Sequence, residues 1–232
     1  MEEKKLEELG QRVHQLATEA IQQGDPSACF ETLYAQAKGD TTQIPWAKMT
    51  PHPMLQTWLK SHDVSGEGKK ALVIGCGLGD DAELLAQLGF SVRAFDLSAT
   101  AIAWCCERFP HSTVNYQVAD LFALDSAWQR SFDLVIESRT IQALPLTLRR
   151  EAIALIAQLV AVEGTLLVIT RVRETEELPP GPPWALSESE LHQFQELGLI
   201  EVQRLPFEDK EVQQLCLILA SFNNHCTCQQ IV

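Results

Sequence analysis

Ala71-Leu72-Val73-Ile74-Gly75-Cys76-Gly77-Leu78-Gly79-Asp80-Asp81 is the stretch that decides the fold of this chain. Four consecutive apolar residues predict a strand buried on both faces. Three glycines at every second position predict a tight loop whose backbone can approach a ligand closely. The aspartate pair then opens a helix over 80–88, and Gly89 takes the helix-ending position.

Working outward, the same alternation repeats. A strand at 91–95 precedes a helix at 99–109 that Pro110 stops. Strands follow at 114–119 and 132–138, a long helix at 148–160, and, after Gly164, a strand at 165–172. Ser187 starts another helix with a capping box to Glu190, and Gly198 ends it. Two final strands, 200–205 and 215–222, are joined by Glu208-Asp209-Lys210, which predicts an antiparallel hairpin. The expected fold is α/β: a Rossmann-like three-layer sandwich with a seven-stranded, mostly parallel sheet ending in that hairpin.

Upstream the texture is helical. Leu6, Leu9, Val13, Leu16 and Ala20 form one apolar stripe. Gly24-Asp25-Pro26 ends that helix and opens another, with Phe30, Leu33 and Tyr34 on its inner face. A proline-broken stretch runs from Ile44-Pro45-Trp46 to Pro51-His52-Pro53, before a short helix carrying Leu55, Trp58 and Leu59. Ser65-Gly66-Glu67-Gly68 reads as a linker. Residues 1–65 are thus expected to be an N-terminal helical cap over the substrate, and 66–232 the cofactor-binding domain, the two forming one compact unit.

Composition narrows the function classes. With 232 residues, 46% of them hydrophobic, the chain can bury a core without disulfide or metal staples. No apolar run reaches the roughly 18–20 residues a bilayer requires, and Met1-Glu2-Glu3-Lys4-Lys5 lacks the core of a secretory signal. The net charge of −13 would repel a polyanion, which argues against nucleic acid as a partner. Seven cysteines without an export signal predict reduced thiols and a cytoplasmic protein. The tail His225-Cys226-Thr227-Cys228 offers three soft ligands where a closed zinc site uses four, so no metal is expected.

In open parallel sheets the ligand sits beyond the carboxyl ends of the strands. Those ends carry Gly75-Cys76-Gly77, then Asp96-Leu97, then Asp120-Leu121, then Glu137-Ser138-Arg139. An acid about 20 residues past the first glycine is placed to grip the hydroxyls of an adenosine ribose. The spacing is G-x-G-x-G rather than the dinucleotide G-x-G-x-x-G, and two aspartates at the helix start would repel a pyrophosphate. S-adenosyl-L-methionine (SAM), which carries a positive sulfonium and no phosphate, fits that charge pattern better than NAD.

These residues resemble the class I SAM-dependent methyltransferases over about 70–222, including Phe132-Asp133-Leu134-Val135-Ile136-Glu137 and the terminal hairpin. Locally they look most like the thiopurine and thiol methyltransferase branch, through the glycine loop with Ala82, Asp96-Leu97-Ser98, and the Trp46 segment that in this branch helps cover the cofactor. The resemblance implies methyl transfer by in-line displacement to a small-molecule nucleophile, with a thiol or similar soft nucleophile as the favoured acceptor, leaving S-adenosyl-L-homocysteine (SAH).

It also assigns roles. Gly75 and Gly77 would line the methionine and ribose, Asp96 the ribose hydroxyls, Leu97 the adenine, and Asp120 its amino group, with Cys76 and Leu121 also binding the cofactor. Glu137 and Arg139 would face the departing methyl as catalytic residues, with Glu137 also touching cofactor. Trp46, Arg139, Arg173 and Trp184 would bind the acceptor, Trp46 also covering the cofactor. His52 is a further base for an oxygen or amine acceptor, and Arg171 a further carboxylate anchor. The proline-rich 173–186 segment is placed to be a lid. The acid usual two residues before the first glycine is Val73 here, leaving the methionine amine to Asp80, Asp81 or a loop carbonyl. A non-catalytic SAM-binding module and an NAD-dependent oxidoreductase are the competing readings. An arsenite methyltransferase is a chemical variant that would need cysteines such as Cys29 and Cys76 to converge.

Overall fold

The computed structural model describes residues 2–175, 177, 182–209 and 212–221; the His225–Cys228 tail and Pro179-Pro180-Gly181 lie outside them. Seven strands form one sheet: β1 (Lys70–Ile74), β2 (Ser91–Asp96), β3 (Asn115–Val118), β4 (Phe132–Ser138), β5 (Val160–Arg171), β6 (Leu199–Asp209) and β7 (Val212–Ser221). Their order is β3-β2-β1-β4-β5-β7-β6, parallel from β3 to β5, with β7 antiparallel to both neighbours. The predicted hairpin is therefore present, folded back so that β7 rather than β6 lies against β5.

Period two along β1 divides its side chains between two cores. Leu72 and Ile74 join one with Ile153 and Ile156 of α6 (Leu146–Leu159) and Phe194 of α7 (Glu188–Glu196). Ala71 and Val73 join the other with Leu85 of α4 (Asp80–Gln87) and Leu55, Trp58 and Leu59 of α3 (Pro53–Ser61). Each buried branched side chain contributes about 1.5–3 kcal/mol. This two-sided demand is why the strand reads as a continuous apolar run.

The cap is built from α1 (Glu2–Gln22), α2 (Ala28–Ala37) and the 41–52 loop. Leu33, Tyr34, Ala37 and Ile44 form an apolar cluster with Leu78 of the glycine loop and Ala101 of α5 (Ala99–Arg108). Glu31 fastens the same contact by accepting from Ser98 Oγ at 2.7 Å, Thr100 N at 3.1 Å and Thr100 Oγ1 at 2.5 Å.

Boundaries differ from expectation at β6, which runs on to Asp209, at β7, which starts at Val212, and most at β5. β5 begins at Val160, immediately after α6, rather than at 165. Its pairing with β4 shifts between Phe132 and Leu134, Glu163 has φ 64°, and a Cβ on Gly164 would lie 2.9 Å from the carbonyl oxygens of Phe132 and Ala161. A bulge tolerates the glycine that reads in sequence as a strand break. No helix among the described residues is long and apolar enough to cross a membrane.

Candidate active site

The strand order reverses between β1 and β4, and a cavity of about 1140 Å³ opens there at the carboxyl ends. Its floor is the glycine loop. Gly75 has φ 58°, and a Cβ there would sit 2.5 Å from Thr140 Oγ1, whose hydroxyl donates to Ile74 O at 3.2 Å. Gly77 has φ 53°, and a Cβ there would press on Tyr34 Oη at 3.3 Å. Both positions therefore require glycine for conformation and for space.

Asp96 holds that loop. Its Oδ2 accepts from Gly77 N and its Oδ1 from Ser98 N, each at 2.9 Å. It is 9% exposed and lines the cavity, and burial pushes its carboxyl above the usual range against those two donors. Beside it Leu97 presents a 40% exposed side chain to the cavity, an apolar surface of the kind a flat ring covers. Asp120 caps the next turn through Phe122 N at 2.9 Å and also lines the cavity, as do Leu121 and Cys76. The Cys76 thiol is pushed well above its ordinary value by its hydrogen bond with Cys105 and by burial, so it stays protonated. Cys29 lies on the same cavity wall, pushed up to about 11 by burial.

The roof comes from the cap. Trp46 donates through Nε1 to Tyr34 Oη at 2.8 Å and packs edge-on to Phe30 and Tyr34 at 5.7 and 6.0 Å. All three line the cavity. Tyr34 reads in sequence only as an inner helix face; its hydroxyl over Gly77 is a site feature that periodicity does not reveal.

At the far end stand Arg139, Arg171 and Trp184. Arg139 turns out of β4 with φ 66° and donates through Nη2 to Gln214 Oε1 at 2.7 Å. Trp184 is held by its N–H to Gln142 O at 2.8 Å and by Arg149 Nη2 on its carbonyl at 2.5 Å.

Two expected site residues are placed elsewhere. Glu137 is 0% exposed and absent from the cavity lining. Its register partners are Ile74 and Val168, both in the core under α6, so period two turns Glu137 to that face. There its Oε1 accepts from Thr140 N at 2.6 Å and Ile141 N at 2.9 Å, while Oε2 is buried without a partner. Burial pushes its carboxyl up to about 7. It shapes the turn that carries Arg139 and Thr140, and it is not positioned to meet cofactor or acceptor. Arg173 lies past the end of β5, where Nη1 bonds Glu190 Oε2 at 2.8 Å and the carbonyl of Ala185. It fastens the returning 184–187 segment, and the cavity arginine is Arg171.

The two aspartates at the helix start also separate. Asp80 pairs with Arg108 at 2.8 Å. Asp81 lines the cavity, accepts from His52 N at 2.7 Å, and is pushed up to about 6 by burial. His52 accepts from Met54 N through Nδ1 at 3.2 Å, capping α3, so that nitrogen is not available as a base. Val73, which stands where the usual acid would be, is 2% exposed, packs in the core with α3 and α4 and borders the cavity.

These residues fit SAM. Buried Asp96 suits a ribose diol, Leu97 and Leu121 an adenine face, and the glycine backbone a close approach, in a space larger than the roughly 300–1,000 Å³ of a single-ligand pocket.

Comparison with known proteins agrees. The thiopurine S-methyltransferase family model matches residues 36–216. A thiopurine S-methyltransferase from Legionella pneumophila (strain Paris) is 24% identical over 188 residues, spanning 74% of this chain and 83% of that protein. Among solved structures, the N-methyltransferase NodS from Bradyrhizobium japonicum WM9 in complex with SAH aligns with TM-score 0.65 at 21% identity, covering 82% of this chain and 96% of that one. The Burkholderia thailandensis 1,6-didemethyltoxoflavin-N1-methyltransferase aligns with TM-score 0.66 at 16% identity, covering 85% and 87%. Those two likenesses establish the fold, and the family match spans most of the chain including the glycine loop, Asp96, Asp120 and Arg139. The chain belongs to the thiopurine S-methyltransferase family of SAM-dependent methyltransferases.

Proposed function

We propose that this enzyme methylates a small-molecule thiol, with SAM at the β1–β3 end of the cavity and the acceptor at the β4–β5 end under Trp46 and Trp184. The observation that carries this reading is the lining. Glu137 lies outside the cavity, His52 Nδ1 is occupied, and Tyr34 is pushed further above its usual value by burial and the nearby Asp96. A thiol, partly ionised near neutral pH, needs no such base.

Bound SAM supplies a methyl group made electrophilic by the sulfonium. The chain's own residues bind and align. Asp96 accepts from the ribose hydroxyls with the lone pairs its two N–H donors leave open. Asp120 accepts from the adenine amino group, and Leu97 and Leu121 pack on the ring. Asp81, at the loop and in the cavity, takes the methionine ammonium in place of the acid that Val73 replaces. Trp46 and Tyr34 close over the loop and exclude water. Holding nucleophile, methyl carbon and sulfur in line contributes several kcal/mol to the rate. Residues 1–65 serve as the cover of this site.

Calorimetric titration with SAM, SAH and NADH, followed by methylation assays on aromatic thiols and the matching phenols and amines, tests the reading. SAM and SAH should bind, NADH should not, and thiols should be the better acceptors. Methylation of the amine alone would replace the thiol reading. Asp96→Ala should weaken SAH binding by roughly 1.5–3 kcal/mol for each charge-assisted bond lost; unchanged affinity would remove the ribose from Asp96.

A further inference from the structure

The charged residues lining the cavity come from different strand ends, although Arg139 is near enough to act on Asp81. Asp81, Asp96 and Asp120 line its β1–β3 end, whereas Arg139 and Arg171 line its β4–β5 end. In a chain with 31 acidic and 18 basic residues, arginines drawn away from solvent should find carboxylates readily. Arg108 pairs with Asp80, Arg149 and Arg173 share Glu190, and Arg139, bonded to Gln214, acts electrostatically on Asp81.

Arg171 does not follow that pattern. Its backbone is pinned, N–H to Gln142 Oε1 at 2.8 Å and carbonyl to Leu186 N at 2.8 Å. Its guanidinium makes no hydrogen bond or ion pair among the described residues, and its Nε is buried without a partner. Arg171 is half-buried, and a permanently charged guanidinium that gives up part of its hydration without a protein partner costs free energy. Its planar fork of donors matches a carboxylate bidentately. The residue lines the cavity, whose own acids, Asp80, Asp81, Asp96 and Asp120, stand at or just past the ends of β1, β2 and β3 rather than β5.

We infer that Arg171 is the anion anchor of the acceptor half of the cavity, and that the acceptor carries a carboxylate beside the nucleophile it presents. This rests on the acceptor lying at the β4–β5 end, as proposed above. The methionine carboxylate of the cofactor offers the same chemistry, so the test must separate the two sources.

SAH-loaded enzyme is titrated with 4-mercaptobenzoate and with its neutral counterpart 4-mercaptobenzamide. The carboxylate should bind roughly 10- to 100-fold tighter, the range expected of one charge-assisted pair. Arg171→Met should erase that preference while the variant's affinity for SAH stays at the wild-type level. Absence of the preference in the wild type, or its survival in Arg171→Met, overturns the inference. A fall in SAH affinity in a variant that still melts cooperatively also overturns it, by assigning the guanidinium to the cofactor. If Arg171→Met does not fold, Arg171→Lys carries the test: the preference must shrink, because an ammonium lacks the fork. Methyl transfer from SAM to the two thiols is read separately. Selective carboxylate binding with neither thiol methylated would overturn the thiol reading and leave the anchor standing.

Discussion

At the scale of single residues, neighbours in sequence are divided by direction. Asp80 and Asp81 are adjacent and both line the cavity, yet Asp80 is paired with Arg108 while Asp81 accepts from His52 N. Burial holds Asp81 up to about 6, and a cationic ammonium binds its ionised form. SAM affinity should therefore be full well above pH 6 and decline as pH falls through it, and Asp81→Asn should weaken binding and flatten that dependence; titrations from pH 5 to 8 check this. Glu137 behaves as a stability group. Its folded value of about 7 lies above the ordinary 4.5, so its contribution is present below about 4.5 and lost as pH rises through 7. Glu137→Gln should accordingly gain on the wild type between pH 5 and pH 8, by roughly 2–3 kcal/mol for a shift of that size, as read by thermal melting at both pH values. Strand-end position made Glu137 and Arg139 look alike in sequence. Register separates them, because Ile74 and Val168 fix which face Glu137 shares.

At the scale of elements, charged residues tie the 1–65 segment to the sheet domain, Asp81 through His52 N and Glu31 at the start of α5. Glu31 of α2 accepts at the start of α5, where Ser98 also caps through Ala101 N at 3.0 Å. Burial raises the Glu31 carboxyl, but the donors Thr100 and Ser98 outweigh it and hold it below its usual value. Glu31→Ala removes the tie next to Asp96 and the glycine loop. The expected cost in stability is about 1 kcal/mol, typical of a lost helix-start acceptor, with a larger proportional loss of SAH affinity as Tyr34 and Trp46 loosen over Gly77. Melting and SAH titration on the same variant separate the two effects. Little in the sequence marks Glu31, since a lone acid on an amphipathic helix is ordinarily solvated. By contrast α7 was legible in full: the Ser187–Glu190 capping box forms as read, with Glu190 Oε2 accepting from Ser187 N at 2.8 Å.

At the scale of the whole molecule, cofactor binding draws on every layer: loop, sheet ends and cap. Binding should stabilise the whole fold. At about 100 times its dissociation constant SAH should add about 2.7 kcal/mol, a rise in melting temperature of about 5–10 °C for a chain of this size. NADH should leave the transition where it is, and a differential scan of the free and loaded enzyme checks both. The architecture, and the glycine loop and strand-end acids that line the cavity, were determined by the sequence itself, because they depend on local pattern. Apolar runs, glycines at every second position and acids at strand ends each act within a few residues of chain. Which side chains line the β4–β5 end of the cavity was decided by the tertiary structure alone. Whether Glu137 or Arg139, and Arg171 or Arg173, faces the cavity depends on which strand lies alongside, where the strand ends, and which distant carboxylate arrives first. Glu190, brought by α7 to Arg149 and Arg173, takes those two cations and leaves Arg171 to the cavity; pairing across such sequence distances is written in packing, not in spacing.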